Sequence, residues 1–208
     1  MTRTIVPRLT AVLTALLLSA CANPPTHYTE NNYDLGVLPA TSNVSAPSQL
    51  PTLSMAEVST PVWLDSTDMV YRLSYANPQQ SRSYANSHWS MSPAQLLEQR
   101  TMARLTASGG IVVAATDNAL NLPLLRLDLQ DFSQDFSTPN QANVRVQIRA
   151  TLFSKRVLVA QKSFQQQVPA PSPDAAGAAL ALSKATDLTL DELLPWLAQL
   201  KPQLPSQK

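Results

Sequence analysis

The side chain whose type and setting most clearly point to chemistry is Cys21, the one Cys in 208 residues, which follows Leu18-Ser19-Ala20. Small residues between an apolar run and a Cys make a lipobox, in which the thiol takes a diacylglyceryl group and the Cys becomes the N-terminus after cleavage. Such a Cys can also be a small buried hydrophobe. The run Leu9 to Leu18 directly ahead of it, and the basic Arg3 and Arg8 before that, favour acylation. A disulfide within the chain is excluded by the count. Two acyl chains hold a protein stably where one holds it marginally, so a diacylglyceryl Cys21 meets the requirement for an anchor.

The rest of the inventory is thin. There are two His, His27 and His88. His88 could act as a base toward one of the many Ser, but no Gly-x-Ser-x-Gly elbow is present, and a His beside Trp89 is more often a packed strand-end residue. Neither His has a second ligand at metal-binding spacing. Asp65 with Asp68, and Asp128 with Asp131 and Asp135, read as solvated charge or turn chemistry in polar surroundings. No Gly-x-x-x-x-Gly-Lys-[Ser/Thr] loop occurs, so nucleotide binding of that kind is excluded. The expectation is a non-enzyme with no catalytic residues, no cofactor and no metal.

Charge narrows the partners. Loss of residues 1 to 20 removes Arg3 and Arg8, taking the 15 basic side chains to 13 against 14 acidic ones. A near-neutral domain is expected to have no electrostatic footprint for nucleic acid or for anionic lipid surfaces. The apolar run of Leu9 to Leu18 is about half the ~20 residues that a spanning helix needs, and no later segment is long and apolar enough to span.

The elements that position these residues follow from periodicity. The expected organisation is a signal peptide at 1 to 20, a lipidated N-terminus and tether at 21 to 32, a domain at 33 to 202 and a polar tail at 203 to 208. Tyr33 to Leu38, 53 to 64 and 69 to 76 read as strands, and 83 to 89 as a weaker one. A loop rich in Pro, Ser, Thr and Asn covers 39 to 51. Ser92-Pro93-Ala94-Gln95 is a helix-start signature, with Ser as N-cap, Pro at the first position and Gln closing a capping box. That helix is predicted over 93 to 107, ending at Gly109-Gly110. Arg100 and Arg104 interrupt its apolar arc. Either their stems cover apolar surface while their heads reach water, or they hold an anion or lipid headgroup. Ile111 to Ala114 reads as a buried strand. Three alternating segments follow, around Leu125 to Gln130, Val144 to Leu152 and Val157 to Val168, the mark of an antiparallel sheet with one covered face. The cover is the helix at 93 to 107 together with C-terminal helices over about 173 to 200, opening at Ser172-Pro173-Asp174. A break is expected near 187 to 189, with Thr189 and Glu192 capping a second helix that Pro195 kinks or ends. The fold class is therefore α/β (α+β), a mostly antiparallel sheet with one face under helices.

Three stretches carry a family resemblance. Tyr33-Asp34-Leu35 follows soon after the lipobox. Val58-Ser-Thr-Pro61-Val-Trp-Leu64-Asp65 is followed by Met69-Val70-Tyr71-Arg72 and then by Trp89 and Pro93. The strand, strand and Ala-rich helix layout of 123 to 200 is the third. Together they resemble the ABC-type transport auxiliary lipoproteins, the family of the paraquat-inducible protein C lipoprotein. The chain departs from it after Trp89, where members usually carry an Ala-Glu type sequence and this one has Ser90-Met91-Ser92. The resemblance implies an accessory role in envelope lipid transport, beside mammalian-cell-entry (MCE) domain proteins driven by an inner-membrane ABC transporter. It further implies a periplasm-facing site on the outer membrane, for which Ala22 in place of a retention Asp also speaks. A ring-like homo-oligomer would match a tubular partner. Arg72, Trp89, Arg100 and Arg104 are the candidate contacts with a partner or lipid. Rival expectations are an outer-membrane assembly lipoprotein, of lipopolysaccharide or Tol type, and an envelope hydrolase using His88.

Overall fold

A computed structural model describes residues 29 to 38, 50 to 117 and 119 to 201. The signal peptide, Cys21, His27, the loop from 39 to 49 and the tail from 202 lie outside the described residues. Among the described residues eight strands and two α-helices follow in chain order. They are β1 (Asn31–Tyr33), β2 (Leu53–Met55), β3 (Asp68–Leu73), β4 (Asn77–Trp89), α1 (Pro93–Ala107), β5 (Val112–Ala114), β6 (Leu124–Thr138), β7 (Gln141–Ser154), β8 (Val157–Pro169) and α2 (Ala175–Leu200).

The spine is β6. One of its edges pairs antiparallel with β7 from Leu124 to Thr138, and β7 pairs in turn with β8. The other edge is shared. Its first residues pair parallel with β2, Ser59 bridges to Asp128, and its last third pairs parallel with β3. From β2 the sheet continues parallel to β5, and from β3 antiparallel to β4 and then parallel to β1. The expected sheet is thus present in its three long strands, while its short strands make it mixed. The helix α1 joins β4 to β5, which lie on opposite sides of β6 in the strand order, beyond β3 and β2 respectively.

Gln130 explains a feature that alternation alone does not reveal. The β6–β7 register shifts between Leu129 and Asp131, so one extra residue enters β6. A bulge of this kind inverts the phase of everything after it. Leu125, Leu127 and Leu129 are buried before it, and Phe132, Gln134 and Phe136 after it. The strand runs to Thr138, so Asp128, Asp131 and Asp135 lie within it on the outward face rather than in polar turns. Each is engaged by a Ser hydroxyl, from Ser59, Ser133 and Ser74 respectively.

The early strands are shorter or displaced. β1 begins at Asn31, inside the expected tether, and ends at Tyr33, where Asp34 turns the chain by accepting a hydrogen bond from the Gly36 N–H at 2.7 Å. Residues 53 to 64 are not one strand. The Ala56 and Ser59 amides still donate to Leu125 and Leu127 of β6, but Val58 N–H turns away to Glu98 of α1 at 3.1 Å, and Pro61 opens a 3-10 turn at Val62–Leu64. β4 is longer than the expected 83 to 89 because its first half is a polar, exposed extension of the hairpin with β3.

Both helix starts are built by their caps. Ser92 Oγ accepts from the Gln95 amide and Gln95 Oε1 accepts from the Ser92 amide, and α1 stops where Gly109 turns left-handed at φ 77°. Asp174 caps α2, accepting from the Gly177 amide at 2.7 Å. That bond, with the Ser172 hydroxyl and the Ala176 amide, holds the Asp174 carboxyl below the usual carboxylate range against a small opposing desolvation.

The expected break near 187 to 189 is absent, since α2 is continuous through Pro195. Thr186 and Thr189 do not cap. Their hydroxyls donate back to the Leu182 and Ala185 carbonyls at 2.8 Å each, which satisfies them inside a helix. A mid-helix Pro costs about 3 kcal/mol. Leu193, Leu194, Leu197 and Leu200 are all buried around it, and at about 1.5–3 kcal/mol per buried Leu their packing outweighs that cost. Alanines at 175, 178, 179, 181 and 185 let the first half of α2 lie close over Val144, Val146, Ile148 and Ala150 of β7.

Candidate functional site

Arg100 and Arg104 meet across the helical layer with two carboxylates. Arg100 Nε and Nη2 donate to Asp187 Oδ1 and Oδ2 at 2.8 and 2.7 Å, a bidentate fork. Arg104 Nη2 pairs with Asp191. Both pairs span 87 residues, so α1 and α2 run in the same sense and an i, i+4 step on one matches an i, i+4 step on the other. Neither arginine head reaches freely to water: their side chains are 5% and 11% exposed. Burial of these heads is possible because each finds an acidic partner.

The same Arg100 reaches the segment that comes first in the described chain. Its Nη1 donates to the Gly36 carbonyl at 2.9 Å, and Ser183 Oγ of α2 donates to the Leu35 carbonyl at 2.6 Å. Leu35 itself is buried. Residues 35 and 36 are therefore stapled to both helices at once, and Tyr33 of β1 accepts from the Ser90 amide at 2.7 Å. A groove of about 370 Å³ runs beside this clamp, lined by Leu38, Met91, Leu96 and Gln99 among others. The arrangement fixes Leu35 and Gly36 against both helices.

Trp89 lies in the core at 1% exposure, edge-on to Phe132 with ring centroids 5.3 Å apart. Arg72 lies near the surface, its guanidinium 5.5 Å from the ring centre of Trp63, next to Val62, which is 92% exposed. Of the four candidate contact residues, Arg72 is thus the one on an accessible apolar and cationic spot, while Trp89 and Arg100 are interior.

Among the described residues His88 has no hydrogen-bonded carboxylate or hydroxyl partner. His88 Nδ1 stands 3.8 Å from Asp68 Oδ1, too long for a hydrogen bond, and no described Ser hydroxyl bonds to its ring. Among the described residues no three His, Cys, Asp or Glu side chains converge as a metal site. The most perturbed titratable group is Tyr84, whose phenol is pushed well above its ordinary value by burial, with smaller contributions from Tyr71 and the Asp174 carboxylate. It donates to Gln134 Oε1 at 2.6 Å inside a ring cluster with Tyr71 and Phe136, which is a structural use of a buried hydroxyl.

Two acids were invisible as site residues in the sequence, Asp187 and Asp191. Their signal was the matched four-residue step of Arg100 to Arg104 and Asp187 to Asp191, legible only once one unbroken α2 is assumed.

The described residues form a small α+β domain whose N-terminal segment is clamped to both helices. The chain belongs to the ABC-type transport auxiliary lipoprotein component family, whose model matches residues 33–193. Membership implies association with an ABC-type transport system and with the cell envelope. Among solved structures it is similar to protein XCC0632 from Xanthomonas campestris, at 22% identity and TM-score 0.72, over 83% of this chain and 99% of that one. A second, an uncharacterized protein, is similar at 15% identity and TM-score 0.62, over 82% and 97% of the respective chains. These likenesses are of fold. No curated protein matches the chain in sequence. No helix among the described residues is long and apolar enough to cross a membrane.

Proposed function

We propose that the chain is a non-enzymatic accessory lipoprotein of an MCE-type envelope lipid transport system, acylated at Cys21 and docking the transport apparatus at the inner leaflet of the outer membrane. The observation that carries this reading is the family match over residues 33–193 directly downstream of a lipobox. The clamp on Leu35 and Gly36 suits it, because a tethered docking module must bear load from its anchor without unravelling. Two long strand edges, β8 and the first half of β4, carry Lys162 and Arg82 as their main charges. Edges so lightly guarded suit pairing with another chain, and joining β4 of one copy to β8 of the next would build a ring-like homo-oligomer.

Capture of the tagged protein from detergent-solubilised envelopes should recover an MCE-domain protein. Repeated recovery of unrelated envelope proteins without one overturns the docking role. At high salt, which screens contacts between a charged surface and headgroups, Cys21→Ser should move the protein from the membrane fraction to the soluble periplasmic fraction or leave it unprocessed, as read by fractionation and by the mass of the N-terminal peptide. A parent N-terminal peptide without acyl mass, or a Cys21→Ser protein of mature size that still sediments with outer membrane at high salt, contradicts the anchor.

A further inference from the structure

Arg126, Lys155 and Arg156 converge on a cleft of about 380 Å³ where β6 begins and β7 turns into β8, over a floor of Leu122, Leu124 and Phe153. The Arg126 guanidinium lies 5.4 Å from the centre of the Phe153 ring. Among the described residues none of these three cations has a carboxylate within ion-pair distance, although Arg100, Arg104 and Arg145 each have one. The overall charge balance conceals this concentration, so the expectation that the chain lacks a footprint for an anionic surface fails locally.

The backbone marks the same place. Lys155 and Arg156, at φ 50° and 67°, form the two-residue turn between Ser154 and Val157. Left-handed geometry at both centres is the type I′ turn that Asn-Gly adopts with least strain. Asn121, at φ 64°, is the remaining non-Gly residue with positive φ among those described, and it lines the same cleft. Asn121 adopts this geometry readily, but Lys155 and Arg156 are poorly suited to it, and strain kept at such residues points to a use for their side chains. Beside the cations, Leu120, Val157 and Leu158 are 84%, 66% and 56% exposed. Unpaired cations next to protruding aliphatics are the composition of a surface seated at a lipid headgroup boundary.

We propose that this cleft docks on the headgroups of an anionic phospholipid bilayer, Arg126, Lys155 and Arg156 meeting phosphate oxygens while Leu120, Val157 and Leu158 enter the acyl boundary. It deepens the envelope-accessory reading and rests on it. It adds a second membrane contact, made by the folded domain itself and independent of acylation.

The test uses the mature chain, residues 21 to 208, carrying Cys21→Ser so that no acyl chain contributes; every described element lies within it. Flotation with vesicles of phosphatidylglycerol and phosphatidylethanolamine should show binding that vesicles of phosphatidylcholine do not support, and that rising salt weakens. Each Lys or Arg at an anionic surface contributes a factor of about five. Lys155→Asn with Arg156→Gly should therefore weaken binding roughly 25-fold, and adding Arg126→Gln should bring the loss to about a hundredfold. The turn pair is chosen because Asn-Gly fits this geometry better, so its Tm should equal or exceed the parent's while binding falls. Equal binding to neutral and anionic vesicles overturns the proposal, as does full binding by the turn variant. Inorganic phosphate that raises the parent's Tm and abolishes vesicle binding at constant ionic strength overturns it in favour of a free-phosphate site. These outcomes stand apart from the docking role, since MCE capture and acylation at Cys21 are measured separately.

Discussion

Replacing Arg100 by Ala lowers the unfolding free energy by roughly 3–5 kcal/mol, the cost of breaking one side of a buried ion pair. The magnitude follows from what is left behind. Asp187, with 18% of its side chain exposed, loses both hydrogen bonds of the fork, and the Gly36 carbonyl loses its donor. Asp187→Ala has a comparable cost because it strands the more deeply buried cation. The pair itself is worth far less than either single loss suggests, since well-packed apolar residues often replace a buried pair at no cost. Arg100→Leu combined with Asp187→Leu is therefore expected to recover most of the stability lost by either Ala variant, read by urea unfolding. The restored helix contact still lacks a donor for Gly36. Proteolysis near residues 34 to 38 should thus remain faster in the double variant than in the parent, while the rest of the domain regains protection. A double variant as unstable as Arg100→Ala would show that the charge pairing itself, with its desolvation already met, holds the layer together.

What the sequence disclosed of this fold depends on whether a residue's partner is near in sequence. The Ser92 and Gln95 box and the Gly109 stop are local devices, and α1 covers Pro93–Ala107 as its residues indicate. The three long strands are legible for the same reason, because alternation is a property of one strand at a time. Pairing partners are not local. The parallel contacts of β2 and β3 along one edge of β6 join residues 70 and 63 positions apart, as in Ser54 with Leu124 and Tyr71 with Gln134, and nothing in Leu53–Met55 specifies which strand it will meet. Gln130 is a harder case. A bulge adds a residue without altering composition, so the phase change from Leu129 to Phe132 can be read as two strands, or as one strand and a turn.

The continuous α2 shows a local signal overruled by packing. Thr189 and Glu192 resemble a cap, and Pro195 resembles a stop, but Leu190, Leu193, Leu194 and Leu197 are each at most 3% exposed, and their burial is a property of the sheet beneath them. The site suffered from the same limit. Arg100 and Arg104 were conspicuous as charges on an apolar arc, yet whether such a charge faces water or a carboxylate is decided by a helix 87 residues away. The cationic cleft lay hidden for a complementary reason. Arg126 and the Lys155–Arg156 turn are separated by most of two strands, and only the β6–β7 register, which sets Leu125 opposite Leu152, brings them together.

Trp89→Ala is expected to cost about 3–5 kcal/mol, as large as any truncation in this core. Trp89 is among the largest fully buried side chains of the domain, and its edge contact with Phe132 adds ~0.5–1.5 kcal/mol beyond the area it buries. The position is a junction. The Trp89 amide donates to the Thr67 carbonyl at 2.7 Å ahead of β3, and Trp89 stands in register with Tyr33 of β1. A cavity there loosens the sheet where the N-terminal segment joins it. Trp89→Phe keeps the ring contact with Phe132 and should lose less than half as much. Trp63 and Trp196 remain as fluorescent reporters, so urea unfolding can be followed in both variants. Stability and partner capture should fall together in Trp89→Ala and both should be largely retained in Trp89→Phe. Capture that fails in Trp89→Phe at near-parent stability would give the indole a direct contact, and would require this side chain to leave the core when the partner binds.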